Sequence, residues 1–112
     1  MIRSNRIRRT TLKARATATR SAASIRRRGT ASLATHAIAQ GLPVRDARSM
    51  VGTLRKTAAK LGVTGTAARV HAGRRMRDSR RYTPAQVAVI AIAYRPRKAA
   101  FKTVAARLAL AA

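Results

Sequence analysis

The feature that most constrains the fold is a stripe of apolar residues with helical spacing in the middle of the chain. Its members lie 3, 4, 3, 4 and 3 positions apart and are Val44, Ala47, Val51, Leu54, Ala58 and Leu61. This spacing places one side of an α-helix against a core. Pro43 suits the first helical turn, and Asp46 complements the positive helix N-terminus. The pattern predicts an amphipathic helix, which Gly52 could interrupt because a mid-helix glycine costs about 1 kcal/mol relative to alanine.

The charge of the chain limits its partners. The 112 residues include 26 Lys and Arg but only two acids, Asp46 and Asp78, for a formal net charge of +24. Like charges at this density favour a polyanionic partner, which predicts binding to nucleic acid. A membrane suits the chain less well, because the cations are not segregated from a broad, bulky apolar face. No run of 18 apolar residues occurs, so no membrane span is expected.

The chain divides into two parts by composition. Residues 1–29 carry ten positive charges and no acid, so they cannot bury enough apolar surface to fold alone. We predict a basic, disordered N-terminal arm over residues 1–29 and a helical domain, including a C-terminal helix pair, over residues 30–112. The arm supplies candidate phosphate ligands, which are Arg8, Arg9, Arg26, Arg27 and Arg28.

Small, apolar and turn residues fall at helix-turn-helix spacing around Gly62. If Gly62 is the turn glycine, Ala58 lies where two helices cross, and Ala68 faces inward from a second helix. The run Ala-x-x-Leu-Gly-Val-Thr that begins at Ala58 resembles the helix-turn-helix proteins of bacteria and their phages and plasmids. The resemblance covers about twenty residues, and it implies that the second helix enters the major groove of DNA. The candidate base-reading residues on its outer face are Thr64, Thr66, Arg69 and Arg74.

A second placement of the same motif is centred on Gly41. It uses residues at the same spacing, namely Ala37, Gly41, Leu42, Ala47 and Met50. This placement ranks second, because His36 and Gln40 occupy positions that should be apolar and Pro43 crowds the turn. In this alternative Arg45 and Arg48 are the residues expected to read the bases.

The segment after the Gly62 motif is the most concentrated run of arginine in the chain. Residues 74–81 include five arginines, and helix is not expected to persist through them. We interpret the run as a loop or wing with a phosphate site. Its candidate phosphate ligands are Arg75, Arg77, Arg80 and Arg81.

Two helices are predicted near the C-terminus. Thr83 and Gln86 form a capping-box pattern, and Tyr82 and Val87 can close a hydrophobic staple around it. The following helix has apolar residues on both sides, because Val89 and Ile92 lie opposite its core side. This pattern predicts that it is the most buried element. A last helix after Pro96 carries an apolar stripe of Phe101, Val104, Ala105 and Leu108. The segment 82–108 also resembles the first two helices of homeodomain-like modules, and we assign it to the core and a dimer surface.

The residues needed for catalysis are scarce. Two distant acids cannot build a two-metal site, and His36 and His71 without Cys or Glu make no zinc site. We therefore expect no enzyme activity, no metal and no cofactor. Tyr82 and Tyr94 fit apolar helix faces better than a nucleophilic role. With three aromatic residues in the chain, no stacking platform for single strands is expected.

The sequence as a whole predicts an all-α fold, a small helical bundle with a helix-turn-helix that follows a basic, disordered arm. The expected function is binding of double-stranded DNA by a cytoplasmic, nucleoid-associated regulator of transcription or of a mobile element. Two alternatives stay open, a sequence-neutral protein that coats DNA and a structural RNA-binding protein associated with ribosomes. No membrane partner is expected, and the C-terminal helices are a candidate homodimer surface.

Overall fold

The computed structural model describes residues 2–111, with side chains at positions 4–69 and 73–111. Along these residues the chain forms five helices and one antiparallel two-stranded sheet. The elements in chain order are α1 (Ile2–Arg28), α2 (Leu33–Ala39), α3 (Val44–Leu61), β1 (Thr66–Ala72), β2 (Arg75–Arg81), α4 (Pro84–Ala93) and α5 (Ala99–Leu110). The mostly helical character is as predicted. Among the described residues, no helix has the length and apolar character needed to cross a bilayer.

Helix α3 confirms the amphipathic helix predicted from the apolar stripe. Gly52 does not interrupt it, and Met50 and Leu54 on its inner side are completely buried. The first and last residues of the stripe, Val44 and Leu61, are exposed at the helix termini instead of being buried. Burial of the central residues outweighs the local cost of the glycine, because fully burying one large apolar side chain contributes about 1.5–3 kcal/mol.

Helix α1 occupies the segment that the sequence predicts to be a disordered arm. Alanine and arginine are good helix formers, and the second half of the helix packs against α2. Residues 21–25 are half-buried there, whereas residues 4–16 are exposed. Ala22 and Ile25 line one cavity together with Ala39 and Gln40 of α2. The prediction of disorder missed this contact because it is made mostly by small side chains rather than by a bulky apolar stripe.

A β-hairpin stands where a second helix is predicted after Gly62. Helix α3 ends at Gly62, whose N–H donates to the Ala59 carbonyl, while the Val63 N–H donates to the Ala58 carbonyl. This pair of bonds closes the helix in a Schellman arrangement. Strands β1 and β2 then pair around Gly73 and Arg74. The predicted second helix is therefore wrong, because Gly73, with φ +69°, supports a two-residue hairpin turn of the kind that starts with glycine.

The C-terminal helices are located as predicted. Thr83 Oγ1 accepts from the Gln86 N–H at 3.2 Å, and the Thr83 N–H donates to Gln86 Oε1 at 2.9 Å, which confirms the capping box. The predicted stripe of α5 is buried against α4. The expectation that α4 is the most buried element is wrong, since Val89 is 49% exposed and Ile92 is 61% exposed. Helix α4 contacts α2, α3 and α5 through one side, and its other apolar side is exposed.

The carbonyl of Tyr82 joins three parts of the fold, and we call its surroundings the Tyr82 junction. This oxygen accepts from the Ala31 N–H at 3.1 Å and from His36 Nε2 at 2.8 Å. The Tyr82 N–H in turn donates to the Ala31 carbonyl at 2.8 Å. Arg81 donates to the hydroxyl and the carbonyl of Thr30. The junction therefore links the α1–α2 connection, helix α2 and the end of the hairpin.

The stability of the protein should fall as pH drops below about 6.5. Desolvation by burial lowers the pKa of His36 from its ordinary value of 6.5, the bond to the Tyr82 carbonyl opposes this shift, and the charge of Arg81 adds to it. The unfolded chain therefore takes up the proton first, so stability present above pH 6.5 is lost as pH falls toward the lowered pKa. The slope can reach about 1.4 kcal/mol per pH unit. Urea unfolding between pH 7.5 and 5 measures it.

The matched control is His36→Gln, whose amide can still donate to the Tyr82 carbonyl but does not titrate. Its unfolding free energy should vary less with pH over the same range. An equal pH dependence in the parent and the variant would contradict the assignment to His36.

Candidate nucleic-acid interface

The outer side of α3 is cationic along its length. Five basic residues on it are exposed to solvent, namely Arg45, Arg48, Arg55, Lys56 and Lys60. Helical spacing places Arg45, Gly52 and Lys56 opposite the buried Met50 and Leu54. The one acid of the helix, Asp46, is half-buried in the first turn, where it complements the helix N-terminus. The exposed face therefore presents positive charge without an acid on its ridge.

The connection between α2 and α3 contains the residues of the Gly41 placement. Ala37, Leu42, Ala47 and Met50 are all buried, and Gly41 has φ +98°. The Gly41 N–H donates to the Ile38 carbonyl at 2.9 Å, and the Leu42 N–H reaches the Ala37 carbonyl at 3.4 Å. The spacing around Gly41 thus coincides with two helices joined by a short turn.

The three residues that fit the Gly41 placement poorly in the sequence are His36, Pro43 and Gln40, and the structure accommodates each of them. His36 occupies its position as a buried histidine that is satisfied by the Tyr82 carbonyl. Pro43 does not crowd the turn, because it lies at the N-cap of α3 with an extended backbone. Gln40 is the C-cap of α2, and its carbonyl accepts from Arg107 at 3.0 Å. Polar residues are therefore accommodated at positions where the sequence pattern favours apolar ones.

The four candidate base-reading residues do not lie on a helix. Thr64 is in the connection after α3, Thr66 begins β1, Arg69 lies within β1 and Arg74 is in the hairpin turn. Their predicted placement on the outer face of a second helix is wrong, because that segment is a strand. Any contact that they make with bases stays a prediction, and it would come from the hairpin.

The candidate phosphate ligands fall into two groups. Arg8, Arg9, Arg26, Arg27 and Arg28 are exposed on α1, the last three in its final turn. Arg75, Arg77 and Arg80 are exposed on β2. Arg81 is half-buried and bonded to Thr30, so its guanidinium is part of the Tyr82 junction. The structure brings the hairpin group near α3, because Arg80 lines a cavity together with Arg55.

The sequence patterns predict only some of the exposed cations of α3. Arg45 and Arg48 are predicted as base-reading residues by the second placement alone, and Arg55, Lys56 and Lys60 by neither placement. The signal that could have found them was available, because these residues occupy the positions between the apolar members of the stripe. A helical repeat of apolar residues predicts the buried face of a helix and, on the opposite side, its exposed polar face.

The side chains that could hold a metal ion are dispersed in the part of the chain that the structure describes. No group of three His, Cys, Asp or Glu side chains comes together there. Tyr94 is buried in the core, and burial raises the pKa of its hydroxyl. The His71 side chain lies outside the described side chains.

Comparisons with protein-family models, with curated proteins and with solved structures found no match to this chain.

Replacement of Gly52 by alanine should stabilise the protein. Gly52 has no positive φ, and a Cβ built on it meets nothing within 4 Å. The change should therefore raise the free energy of unfolding by about 0.5–1 kcal/mol, the difference in helix propensity. Gly41→Ala is the matched control and should destabilise, because alanine is strained at φ +98°. Chemical denaturation measures the free energy of unfolding of both variants. Changes of the same sign in the two variants would contradict the prediction.

Proposed function

We propose that the protein binds double-stranded DNA and regulates transcription or a mobile element. The observation that best supports DNA binding is the cationic outer face of α3. A short turn joins this helix to α2. In this proposal α2 and α3 act as a helix-turn-helix with its turn at Gly41, and α3 lies in the major groove. An α-helix fits that groove, and arginine pairs with guanine through two hydrogen bonds. Arg45 and Arg48 are the proposed base-reading residues.

The remaining cations are proposed to hold the DNA backbone. Phosphate contacts fix the position of a protein on the duplex, whereas base contacts select the sequence. Arg80 of β2 lines a cavity together with Arg55 of α3, and the exposed arginines of α1 provide a second charged surface. A cytoplasmic, nucleoid-associated location follows if this proposal is correct.

Two alternative functions have support from the same charge distribution. Positive residues cover α1, α3 and the hairpin rather than α3 alone, which favours a sequence-neutral protein that coats DNA. A structural RNA-binding protein would use the same arginines on phosphates. Competition between a selected duplex, random duplex and structured RNA separates the three functions.

The proposal predicts different losses for two sets of variants. Arg45→Ala and Arg48→Ala should each cost about 1–3 kcal/mol on the preferred duplex and less on random duplex, because a base contact is lost. Arg8→Ala with Arg9→Ala should weaken both duplexes by similar factors, because these residues can contact only phosphates. Salt titrations on each duplex measure both effects. With about 6 to 10 phosphates contacted, the parent slope of log K against log salt should be about −5 to −9.

Four results would contradict the proposal. A parent slope shallower than about −2 would show that phosphate contacts do not dominate. A parent protein with no preferred duplex would favour the coating function, and tighter binding to structured RNA would favour the ribosome-associated one. The last result is that Arg69→Ala loses the preference for the selected duplex while Arg45→Ala and Arg48→Ala keep it. The hairpin, and not α3, would then be the element that reads the bases.

We further propose that two copies associate through the exposed side of α4. This helix contains no charged residue, and Val89 and Ile92 are exposed on it. It therefore offers two chains of charge +24 a place to meet without opposing arginines. An interface of this kind is isologous, with the same residues on both copies.

Self-association should strengthen with salt, because screening reduces the repulsion between the two cationic chains. This is opposite to the salt dependence expected for DNA binding. Ile92→Lys should produce a monomer, whereas Ile7→Lys, a matched change at an exposed position of α1, should leave association unchanged. Sedimentation equilibrium at two salt concentrations is the measurement. A parent protein that is monomeric at both would rule out the homodimer.

A further inference from the structure

A cleft runs between α3 and the hairpin, and we call it the hairpin groove. It has a volume of about 600 Å³. Its lining comes from the start of α2, from α3 and from β2, and includes Ser32, Val51, Arg55, Asp78, Ser79 and Arg80. Arg55 and Arg80 thus face one space from two different elements.

A second hollow shares part of the lining of the hairpin groove. It has a volume of about 500 Å³ and is lined by Asp78, Ser79 and Arg80, which also line the first, together with Ala67, Ala68 and Arg69 of β1. The two hollows together are lined by three arginines, Arg55, Arg69 and Arg80. The small side chains of Ala67 and Ala68 leave room for a bulky chain to approach the hairpin backbone.

Two polar side chains of the groove are Arg80 and Ser79, and the first is bonded to the fold. Arg80 donates from one terminal nitrogen to the Thr64 carbonyl at 3.1 Å, and a guanidinium with five N–H donors retains others for a ligand. Ser79 is half-buried on the same strand. Guanidinium and hydroxyl groups are common ligands of phosphate oxygens in protein–DNA complexes.

We propose that the phosphodiester backbone of one DNA strand lies in the hairpin groove, bound by Arg55 and Arg80. This inference rests on the proposed DNA binding, and it identifies which cations hold the strand beside α3. An open groove with arginines from two elements, next to a second hollow lined by Arg69, suits a polymer of phosphates better than a single small anion. The groove fixes the rotation of α3 relative to the duplex, because Arg55 lies on the side of the helix that faces the hairpin.

Asp78 limits how tightly the groove binds. It is one of two acids in the chain, and its side chain is 95% exposed within the groove. Its carboxylate lies 3.8 Å from Arg69 Nε, so it competes with phosphate for that guanidinium and repels the strand. Removing this charge should strengthen binding, whereas removing an arginine should weaken it.

The experiment is a salt titration of duplex DNA binding by the full chain. Arg55→Ala and Arg80→Ala should each lower the magnitude of the slope by about 0.9, which corresponds to about fivefold weaker binding near 0.15 M salt. Arg97→Ala, in the connection between α4 and α5, is the matched control and should leave the slope unchanged. Arg80→Ala also loses the bond to Thr64, so Arg55→Ala is the variant that tests the site without removing a bond of the fold.

Asp78→Asn should tighten binding by about two- to fivefold, the effect of one surface charge pair. Asp46→Asn makes the same change in net charge outside the groove and should have a smaller effect. Inorganic phosphate, added at constant ionic strength, tests a small-anion site, and competition by it at low millimolar concentration would overturn the assignment to a strand.

The groove proposal and the DNA proposal fail in different ways. If the parent protein binds its preferred duplex with a steep slope but Arg55→Ala and Arg80→Ala keep that slope, the groove assignment is wrong and DNA binding stands. If the parent binds structured RNA more tightly than any duplex, DNA binding is wrong, and the groove assignment to a DNA strand is overturned with it.

Discussion

The bond between His36 and the Tyr82 carbonyl is the interaction on which the arrangement of the protein depends. It is made between positions far apart in the chain, and with the Ala31–Tyr82 pairing it holds the hairpin end against α2. Helix α4 begins immediately after this point, so the same bond sets where the C-terminal pair starts. Five of the sixteen residues in the buried core cluster are alanines and the rest are larger apolar side chains, and a buried polar junction gives this core a defined geometry that apolar packing alone specifies less sharply.

Much of the fold could be predicted from the sequence because its signals are local. The apolar stripe of α3 and the capping box at Thr83 depend on residues within a few positions of each other, and both are present. Helix α1 and the hairpin could not be predicted in the same way. The first is packed through small side chains, and the second through pairing of Thr66 with Arg81 and the bonds of Arg81 to Thr30, which are long-range contacts.

The candidate interface shows how a local pattern can mislead. Ala58, Gly62 and Val63 satisfy the spacing of a turn between helices, but the same residues also satisfy the end of a helix. A glycine with positive φ closes a helix whatever follows it, so the pattern contains no information about the next element. Whether Gly41 lies in a turn between two packed helices depends on the burial of Met50 and on a polar partner for His36. Neither can be predicted from residue type.

The hydrogen bond from Arg107 to the Gln40 carbonyl has a consequence for biosynthesis. It joins residues 67 positions apart, and it braces the turn that precedes α3. During translation, α2 and α3 leave the ribosome well before α5, since domains emerge at about 5–20 residues per second. The cationic face of α3 is therefore formed several seconds before its supporting turn is complete. A nascent chain at this stage would meet polyanions, including ribosomal RNA, with a charged surface that is not yet held in its final orientation.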